Sequence, residues 1–337
     1  MLKELISKLV SREALSAAQA EAAMDEIMSG GATEAQIAAF AVALRMKGET
    51  VDEIAGCARA MRAKATRIQA PRADLLDTCG TGGDAIGTFN ISTAAALVAA
   101  GAGCCVAKHG NRGVSSSCGS ADVLRELGVK IDAPVAAVER SLRDAGIGFL
   151  FAPALHGAMK HAIGPRREIG IRTVFNILGP LTNPAGARHQ LLGVYEARLV
   201  KVMAAVLASL GCVHCLVVHG DDGLDELTTT TTTQACEVRN GRLLPFTIRP
   251  EDAGLPRAQL DDLRVSSAAE SASVIRGVLG GRRGPARDIV VLNAAAALLA
   301  AERADDLRQG CLRAAAAIDA GAAARALDRL IAITNAQ

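Results

Sequence analysis

A change of periodicity at Pro71 limits the fold more than any other feature of the chain. Before it, apolar residues recur at helical spacing and no strand-like run interrupts them. Leu2, Ile6 and Val10 form one such face, and Ser16 is placed to cap a segment holding Ala20, Ala23 and Ile27. Gly30-Gly31 breaks that segment, after which Thr33 and Glu34 start a helix through Ile37, Phe40 and Leu44, stopped by Gly48. Thr50-Val51-Asp52-Glu53 reads as a capping box for a fourth helix ending near Arg67. From Leu75 onward, short apolar runs alternate with helical segments, the pattern of a βα-repeating parallel sheet. The expectation is an α/β protein with two parts. A small all-helical domain covers 1–69, joined by part of about 164–188; a large α/β domain covers 70–163 and 189–337 and has a central, mostly parallel sheet flanked by helices.

Strands are expected over 74–78, 103–107, 147–151, 189–195 and 213–219, with helices at about 91–102, 120–127, 134–145, 154–162 and 197–210. Asn240-Gly241, between Cys236-Glu237-Val238 and Leu243-Leu244, signals a hairpin turn. The β-branched run of threonines over 228–233 suits a strand, and 266–333 returns to alanine-rich helices. Half of the 337 residues are hydrophobic but only 2% are aromatic, so the interior must rest on Ala, Leu, Val and Ile.

The 37 basic and 35 acidic residues nearly cancel, which argues against a general polyanion-binding surface and hence against nucleic acid as a partner. No apolar run approaches membrane-spanning length, and Met1-Leu2-Lys3-Glu4 lacks a signal-peptide layout. Nine cysteines, an odd number scattered through apolar runs, point to free thiols in a reducing cytosol. A cytoplasmic protein with no membrane partner is expected.

The stretch from Asp77 to Asp122 reads as one anion-binding surface. Leu75-Leu76 leads into Asp77-Thr78-Cys79-Gly80-Thr81-Gly82-Gly83-Asp84, a glycine-rich loop, and Asn90-Ile91-Ser92-Thr93 opens a helix. A second strand-like run delivers Lys108-His109-Gly110-Asn111-Arg112. Between Asp84 and Asp122 the only full charges are Lys108 and Arg112. Exposed backbone N–H groups and a helix start both attract phosphate, so the site suits a substrate with several phosphoryl groups. The loop literally satisfies G-x-G-x-x-A, yet the acidic residue about 20 positions on that a dinucleotide site requires is missing, and the chain has no Walker-type motif. Asn90 and Ser92 also read simply as helix caps, while Ser115, Ser116, Ser117 and Ser120 could add hydroxyl donors.

An acidic patch follows a later strand: His219-Gly220-Asp221-Asp222-Gly223-Leu224-Asp225-Glu226. Turn chemistry accounts for Asp221-Asp222-Gly223, leaving Asp225 and Glu226 as the stronger candidates for Mg²⁺, which binds one or two carboxylates plus substrate phosphates. Arg166, Arg167 and Arg172 either pair with Glu168 and cap helix ends, or one of them faces the cleft and grips a carboxylate. Cys212-Val213-His214-Cys215 lacks a second pair at zinc spacing and reads as buried free thiols.

These residues resemble the anthranilate phosphoribosyltransferases, which have the nucleoside-phosphorylase-like (class III) transferase fold. The match covers almost the whole chain: Met46-Lys47-Gly48-Glu49-Thr50, the glycine loop, the Asn90 tetrad, Lys108 to Arg112, and the segments 172–184, 222–226 and 284–289. The resemblance implies transfer of a 5-phosphoribosyl group from phosphoribosyl pyrophosphate (PRPP) to the amino group of anthranilate. Gly80, Gly82, Gly83, Asp84, Thr88, Asn90, Ile91, Ser92, Thr93, Lys108, His109, Gly110, Asn111, Arg112, Gly113, Val114, Ser115, Ser116 and Ser120 would bind PRPP. Ser92, Asp225 and Glu226 would hold Mg²⁺, two ions per subunit when substrate is bound. Gly80, Asn111 and Arg166 would contact anthranilate, with His109 and Pro180 nearby, and Lys108, Asn111, Arg112 and Arg166 would carry the chemistry. A homodimer joined through the helical domain is implied as well. Pyrimidine nucleoside phosphorylases share the fold and form the rival enzyme reading; a catalytically silent nucleic-acid binder is the rival from another class.

Overall fold

The computed structural model describes residues 1–113 and 118–336, so Val114, Ser115, Ser116 and Ser117 of the expected site lie outside the described residues. Four helices open the chain: α1 (Leu2–Val10), α2 (Ala17–Met28), α3 (Glu34–Lys47) and α4 (Val51–Lys64). Ser16, Thr33 and Thr50 each close a capping box with the residue three places on, which satisfies two of the orphan amides at each helix start.

The rest of the chain alternates as expected: β1 (Leu75–Gly80), α5 (Ile91–Gly101), β2 (Cys105–Gly110), α6 (Ser120–Glu126), α7 (Val135–Asp144) and β3 (Ile147–Phe151). Next come α8 (Ala152–Leu155), α9 (Lys160–Ile169), α10 (Phe175–Leu178), β4 (His189–Gly193), α11 (Leu199–Ser209), β5 (His214–Gly220), β6 (Thr233–Arg239) and β7 (Arg242–Ile248). Four helices close the chain: α12 (Ala268–Leu279), α13 (Pro285–Ala300), α14 (Leu307–Asp319) and α15 (Ala322–Asn335). None of the described helices is long and apolar enough to cross a membrane.

One seven-stranded sheet has the order β3-β2-β1-β4-β5-β6-β7. The first five strands are parallel and the last two antiparallel, β6 and β7 joined at Asn240-Gly241, both with positive φ. The order reverses between β1 and β4. Such a switch point leaves a crevice beyond the carboxyl ends of the strands, where open α/β sheets bind ligands.

Alternating side chains send the two faces of the sheet into different cores. Leu76, Val106, Leu191 and Leu216 pack with α5, α12, α13 and α15. Leu192, Cys215 and Val217 pack on the other face with Met203 and Leu207 of α11, and that core runs without a break into Ile54, Ala58 and Met61 of α4 and Phe40 of α3. Phe175 and Leu178 of α10 join it, and α9 lies against α3 and α2.

Two local expectations fail. The threonine run is a loop up to Thr233, because its hydroxyls find closer partners than a sheet ladder: Thr228 Oγ1 and Thr230 Oγ1 both donate to the Asp222 carboxylate. The helix expected at about 154–162 is instead split by a 3₁₀ turn over Gly157–Met159, and α9 continues through Pro165 to Ile169, where Gly170 ends it in the left-handed region.

Candidate active site

The carboxyl ends of β1, β2, β4 and β5 converge on the switch-point crevice, and each delivers part of the site. After β1 the backbone turns repeatedly: Gly82, Gly83, Ala85 and Gly87 all have positive φ, three of them glycines that take this region at no steric cost. A side chain on Gly80 would strike the Asp225 carboxylate, and one on Gly193, in the paired β4, would strike the Asp225 backbone carbonyl. Asp225 therefore lies directly on the glycine loop rather than across a gap from it. The Gly82 N–H donates to Asp225 Oδ2 at 2.8 Å.

At the start of α5, Asn90 Oδ1 accepts the Thr93 N–H (3.1 Å) and the Ser92 hydroxyl (3.3 Å), while Asn90 Nδ2 donates to the Cys118 carbonyl (2.8 Å). Capping and site formation thus coincide at Asn90. Ile91 turns its side chain into the core, and the Thr93 hydroxyl is buried without a partner, so only their backbone amides face the helix start.

Lys108 is 2% exposed. Its ammonium donates to the Thr78 carbonyl and to Ser92 Oγ (3.3 Å), and so sits beneath the helix start as a buried positive charge. Burial pulls its pKa down, opposed by Asp77, Cys79, Glu226 and Asp225. Asp77, fully buried, accepts from the His109 N–H (3.1 Å) and Asn183 Nδ2 (2.8 Å); burial raises its pKa against Asn183, Lys108 and His109.

Asp225 and Glu226 follow Leu224 off the end of β5. Burial and the neighbouring Asp84 push Asp225 up to about 7. Glu226, which accepts from the Ser92 backbone amide, rises well above its usual range through burial and Asp225. Lys108 opposes both shifts, so the two carboxyls sit between mutual repulsion and one buried positive charge. Hydroxyl and carboxylate oxygens at Ser92, Asp225 and Glu226 suit a hard cation such as Mg²⁺. Among the described residues no three His, Cys, Asp or Glu side chains form a metal cage.

Gly110 packs so tightly that a Cβ would strike Ser120 Oγ, and Ser120 Oγ donates to the Asn111 carbonyl (3.3 Å). Asn111 and Arg112 are exposed on the rim, Arg112 above the Phe151 ring at 5.9 Å and Gly113 held by Asp122 (3.0 Å). Thr88 is fixed by a β-bridge to Arg264. Asp84, whose pKa burial raises, also lies near Asp222 and Arg172.

The other wall holds Arg166, His109 and Pro180. Arg166 stacks over the Phe175 ring at 5.5 Å, and among the described residues it makes no ion pair with Glu168 or any other carboxylate. His109 Nδ1 lies 3.1 Å from the Gly179 carbonyl, and its Nε2 lies 3.2 Å from His156 Nε2. Burial, His156 and Lys108 take His109 down to about 3, and burial alone takes His156 down to about 4, so both rings are neutral. Gln190 fixes Pro180 through its carbonyl at 2.7 Å.

Two contributors, Asn293 and Ser271, escaped sequence reasoning, and a third, Arg172, was a candidate whose target was not apparent. Arg172 donates to the Gly83 carbonyl and lies flat on Tyr195, 4.3 Å from the ring. Asn293 brackets Leu227, accepting its N–H at 3.0 Å and donating to its carbonyl at 2.8 Å, and so anchors Asp225 and Glu226. Its signal was a lone amide within Val290-Val291-Leu292-Asn293-Ala294. Ser271 accepts the Asn90 N–H at 2.9 Å from far along the chain and had no local signal.

Residues 3–65 match the model of the glycosyl transferase family helical bundle domain, and 72–324 match the glycosyl transferase family a/b domain. The chain is 58% identical over 335 residues to the anthranilate phosphoribosyltransferase of Anaeromyxobacter sp. (strain K), covering 99% of both chains. It is 58% identical over 332 residues to that of Moorella thermoacetica, covering 98% of both. The crystal structure of the Thermus thermophilus enzyme superposes with a TM-score of 0.94 at 42% identity, covering 98% of this chain and 99% of the other. The Saccharomyces cerevisiae enzyme in complex with PRPP and Mg superposes with a TM-score of 0.89 at 29% identity, covering 99% and 97%. With a helical bundle and an α/β sheet matched end to end, the chain belongs to the anthranilate phosphoribosyltransferase family.

Proposed function

We infer that the chain transfers the 5-phosphoribosyl group of PRPP to the amino nitrogen of anthranilate, giving N-(5-phosphoribosyl)anthranilate and pyrophosphate, the second step of tryptophan biosynthesis from chorismate. The observation that carries this reading is the meeting of the glycine loop, the start of α5 above buried Lys108, and the Asp225–Glu226 pair at one switch point. An aromatic amine is already nucleophilic, so no strong general base is needed. The barrier lies in breaking the anomeric C–O bond while positive charge develops on the ribose. Loop and helix-start amides with Lys108 and Arg112 bind the departing diphosphate, and Asn111 and Arg166 hold the anthranilate carboxylate so that its nitrogen approaches in line. Ser92, Asp225 and Glu226 would hold Mg²⁺, which would supply neutralisation of the diphosphate charge.

The remaining assignments belong to the same reading. PRPP contacts extend over Gly80, Gly82, Gly83, Asp84, Thr88, Asn90, Ile91, Ser92, Thr93, the residues from Lys108 to Ser116, and Ser120. Two Mg²⁺ ions bind per subunit with substrate present. The helical domain, 1–69 with part of about 164–188, joins two copies in a homodimer, and the enzyme works in the cytoplasm.

Loss of anthranilate fluorescence with PRPP and Mg²⁺, repeated without each component, tests the activity. Phosphorolysis of thymidine or uridine with no PRPP-dependent signal would replace this reading by the nucleoside phosphorylase one.

A further inference from the structure

We propose that Arg172 is a positioning residue for the sugar donor: it fixes the peptide between Gly83 and Asp84 so that the N–H, and not the C=O, meets the diphosphate. The inference rests on the reading that the glycine loop binds PRPP. Arg172 lies in the turn between α9 and α10, on the segment that also carries Arg166, yet it reaches the donor side of the crevice.

The side chain is held at both ends. The next residue, Thr173, is buried, and its N–H donates to Asn176 Oδ1 at 2.9 Å, which anchors the backbone. The guanidinium lies over the Tyr195 ring, 4.3 Å from its centre, and one of its N–H groups donates to the Gly83 carbonyl. Among the described residues it forms no ion pair with a carboxylate that would draw it off this contact. A planar guanidinium stacked on a ring keeps its donor edge in one plane, which a flexible ammonium cannot do. The ring is tied to the loop as well, because the Tyr195 N–H donates to Thr81 Oγ1 at 3.1 Å.

Little else holds this part of the loop. The Thr81 N–H donates to the Gly193 carbonyl at 2.9 Å, and Gly82 is held by Asp225. From Gly83 to Ile86, among the described residues, the Arg172 bond is the one hydrogen bond to a residue outside the loop. The next tie is at Gly87, whose carbonyl accepts the Val265 N–H at 2.9 Å. Gly82 (φ 67°) and Gly83 (φ 84°) have no Cβ to limit rotation, and a Cβ on Gly83 would come within 3.0 Å of the Arg172 guanidinium. In a planar trans peptide the C=O and N–H point opposite ways, so holding the Gly83 carbonyl turns the Asp84 N–H away from Arg172. Neither the Gly83 nor the Asp84 N–H has an acceptor among the described residues, which leaves both for a ligand. A flipped peptide would present a carbonyl oxygen, which repels phosphate.

Two simpler roles predict different behaviour. If Arg172 met the diphosphate only as a charge, lysine would serve in its place. If it only supported the fold, its loss would weaken stability without separating the two substrates. Positioning requires both the donor edge and the ring beneath it, so Arg172 and Tyr195 act as one unit.

The test combines steady-state kinetics, each substrate varied in turn, with amide hydrogen exchange at Thr81 and Gly82 in the absence of ligand. It compares the full wild-type chain with R172A, R172K, Y195L and the double variant R172A/Y195L. R172A should raise the KM for PRPP about tenfold while leaving that for anthranilate within about twofold and kcat within about threefold. Exchange at Thr81 and Gly82 should speed up about tenfold in the same variant. R172K and Y195L should fall between wild type and R172A, and the double variant should be no worse than R172A alone. A wild-type KM for PRPP in R172K, independent multiplicative losses in the double variant, equal rises in both KM values, or unchanged exchange in R172A overturns the proposal. A wild type with no PRPP-dependent signal would instead overturn the activity reading, and the exchange comparison would still decide whether Arg172 holds the loop.

Discussion

The Gly82 amide donates to the Asp225 carboxylate at 2.8 Å, so an acidic side chain occupies the glycine loop that the sequence offers to phosphate. Asp225 is held there beside Asp84 and Glu226, and the repulsion is built into the fold. Asp225→Asn keeps the shape and an acceptor for Gly82 while removing one of the crowded charges. Without Mg²⁺ this variant should be more stable than the wild type by about 1 kcal/mol, and kcat/KM for PRPP should fall by about a hundredfold or more. Denaturant unfolding and steady-state kinetics check both; a less stable variant would show that the carboxylate is a net structural asset.

Lys108 and Arg112, four residues apart, should separate stability from binding. Lys108 lies buried against Thr78, Ser92 and the charge of Asp77, whereas Arg112 is exposed over Phe151. Lys108→Met strands a buried carboxylate and should cost on the order of 3 kcal/mol as well as PRPP use. Arg112→Ala should damage PRPP use with a stability change within about 0.5 kcal/mol. Equal destabilisation in the two variants would contradict the burial that separates them.

Arg166 rests on Phe175 and, among the described residues, pairs with no carboxylate, which leaves its guanidinium to meet a ligand. Arg166→Ala should raise the KM for anthranilate about tenfold or more, with that for PRPP shifted less than about twofold. Kinetics with each substrate varied in turn decide it, and parallel rises in both constants would remove Arg166 from the acceptor side.

His109 and His156 share one buried contact and titrate as a pair, at about 3 and about 4. Each binds a proton less readily in the folded chain than in the unfolded one. Between about pH 6.5 and 4 the unfolded state therefore takes up more protons, and stability falls as pH falls through that window; above it the pair contributes no slope. At about 1.4 kcal/mol per pH unit for each ring the loss should reach on the order of 7 kcal/mol by pH 4, and His156→Gln should about halve the slope. A pH profile of the denaturation midpoint measures it, and an unchanged slope in the variant would assign the acid sensitivity elsewhere.

The architecture was legible because its signals are local. The helix start at Thr33, the capping box at Thr50 and the Asn240-Gly241 turn are settled by neighbours within a few residues, and the structure places them as read. The threonine loop was not, because its partner, Asp222, lies in a turn that a propensity argument treats as solvated. Distance in sequence hid other parts: Asn293 steadies Asp225 and Glu226 across 66 residues, and Ser271 meets Asn90 across 181. Arg172 was visible as a cation but its target was not, since only the folded loop brings the Gly83 carbonyl to it.

The helical bundle and the sheet match separate family models, yet Ile54 and Met61 share one apolar interior with Leu192, Met203 and Val217. Cutting at Pro71 would bare the α11 side of the sheet to water. The two named modules should accordingly melt as one cooperative unit, a single calorimetric peak whose van't Hoff and measured enthalpies agree; a separable first peak would mean the seam is weaker than its packing. The sheet half is thus not a scaffold wearing a removable hat, and a fragment beginning after residue 71 would inherit a sticky wound rather than a domain surface.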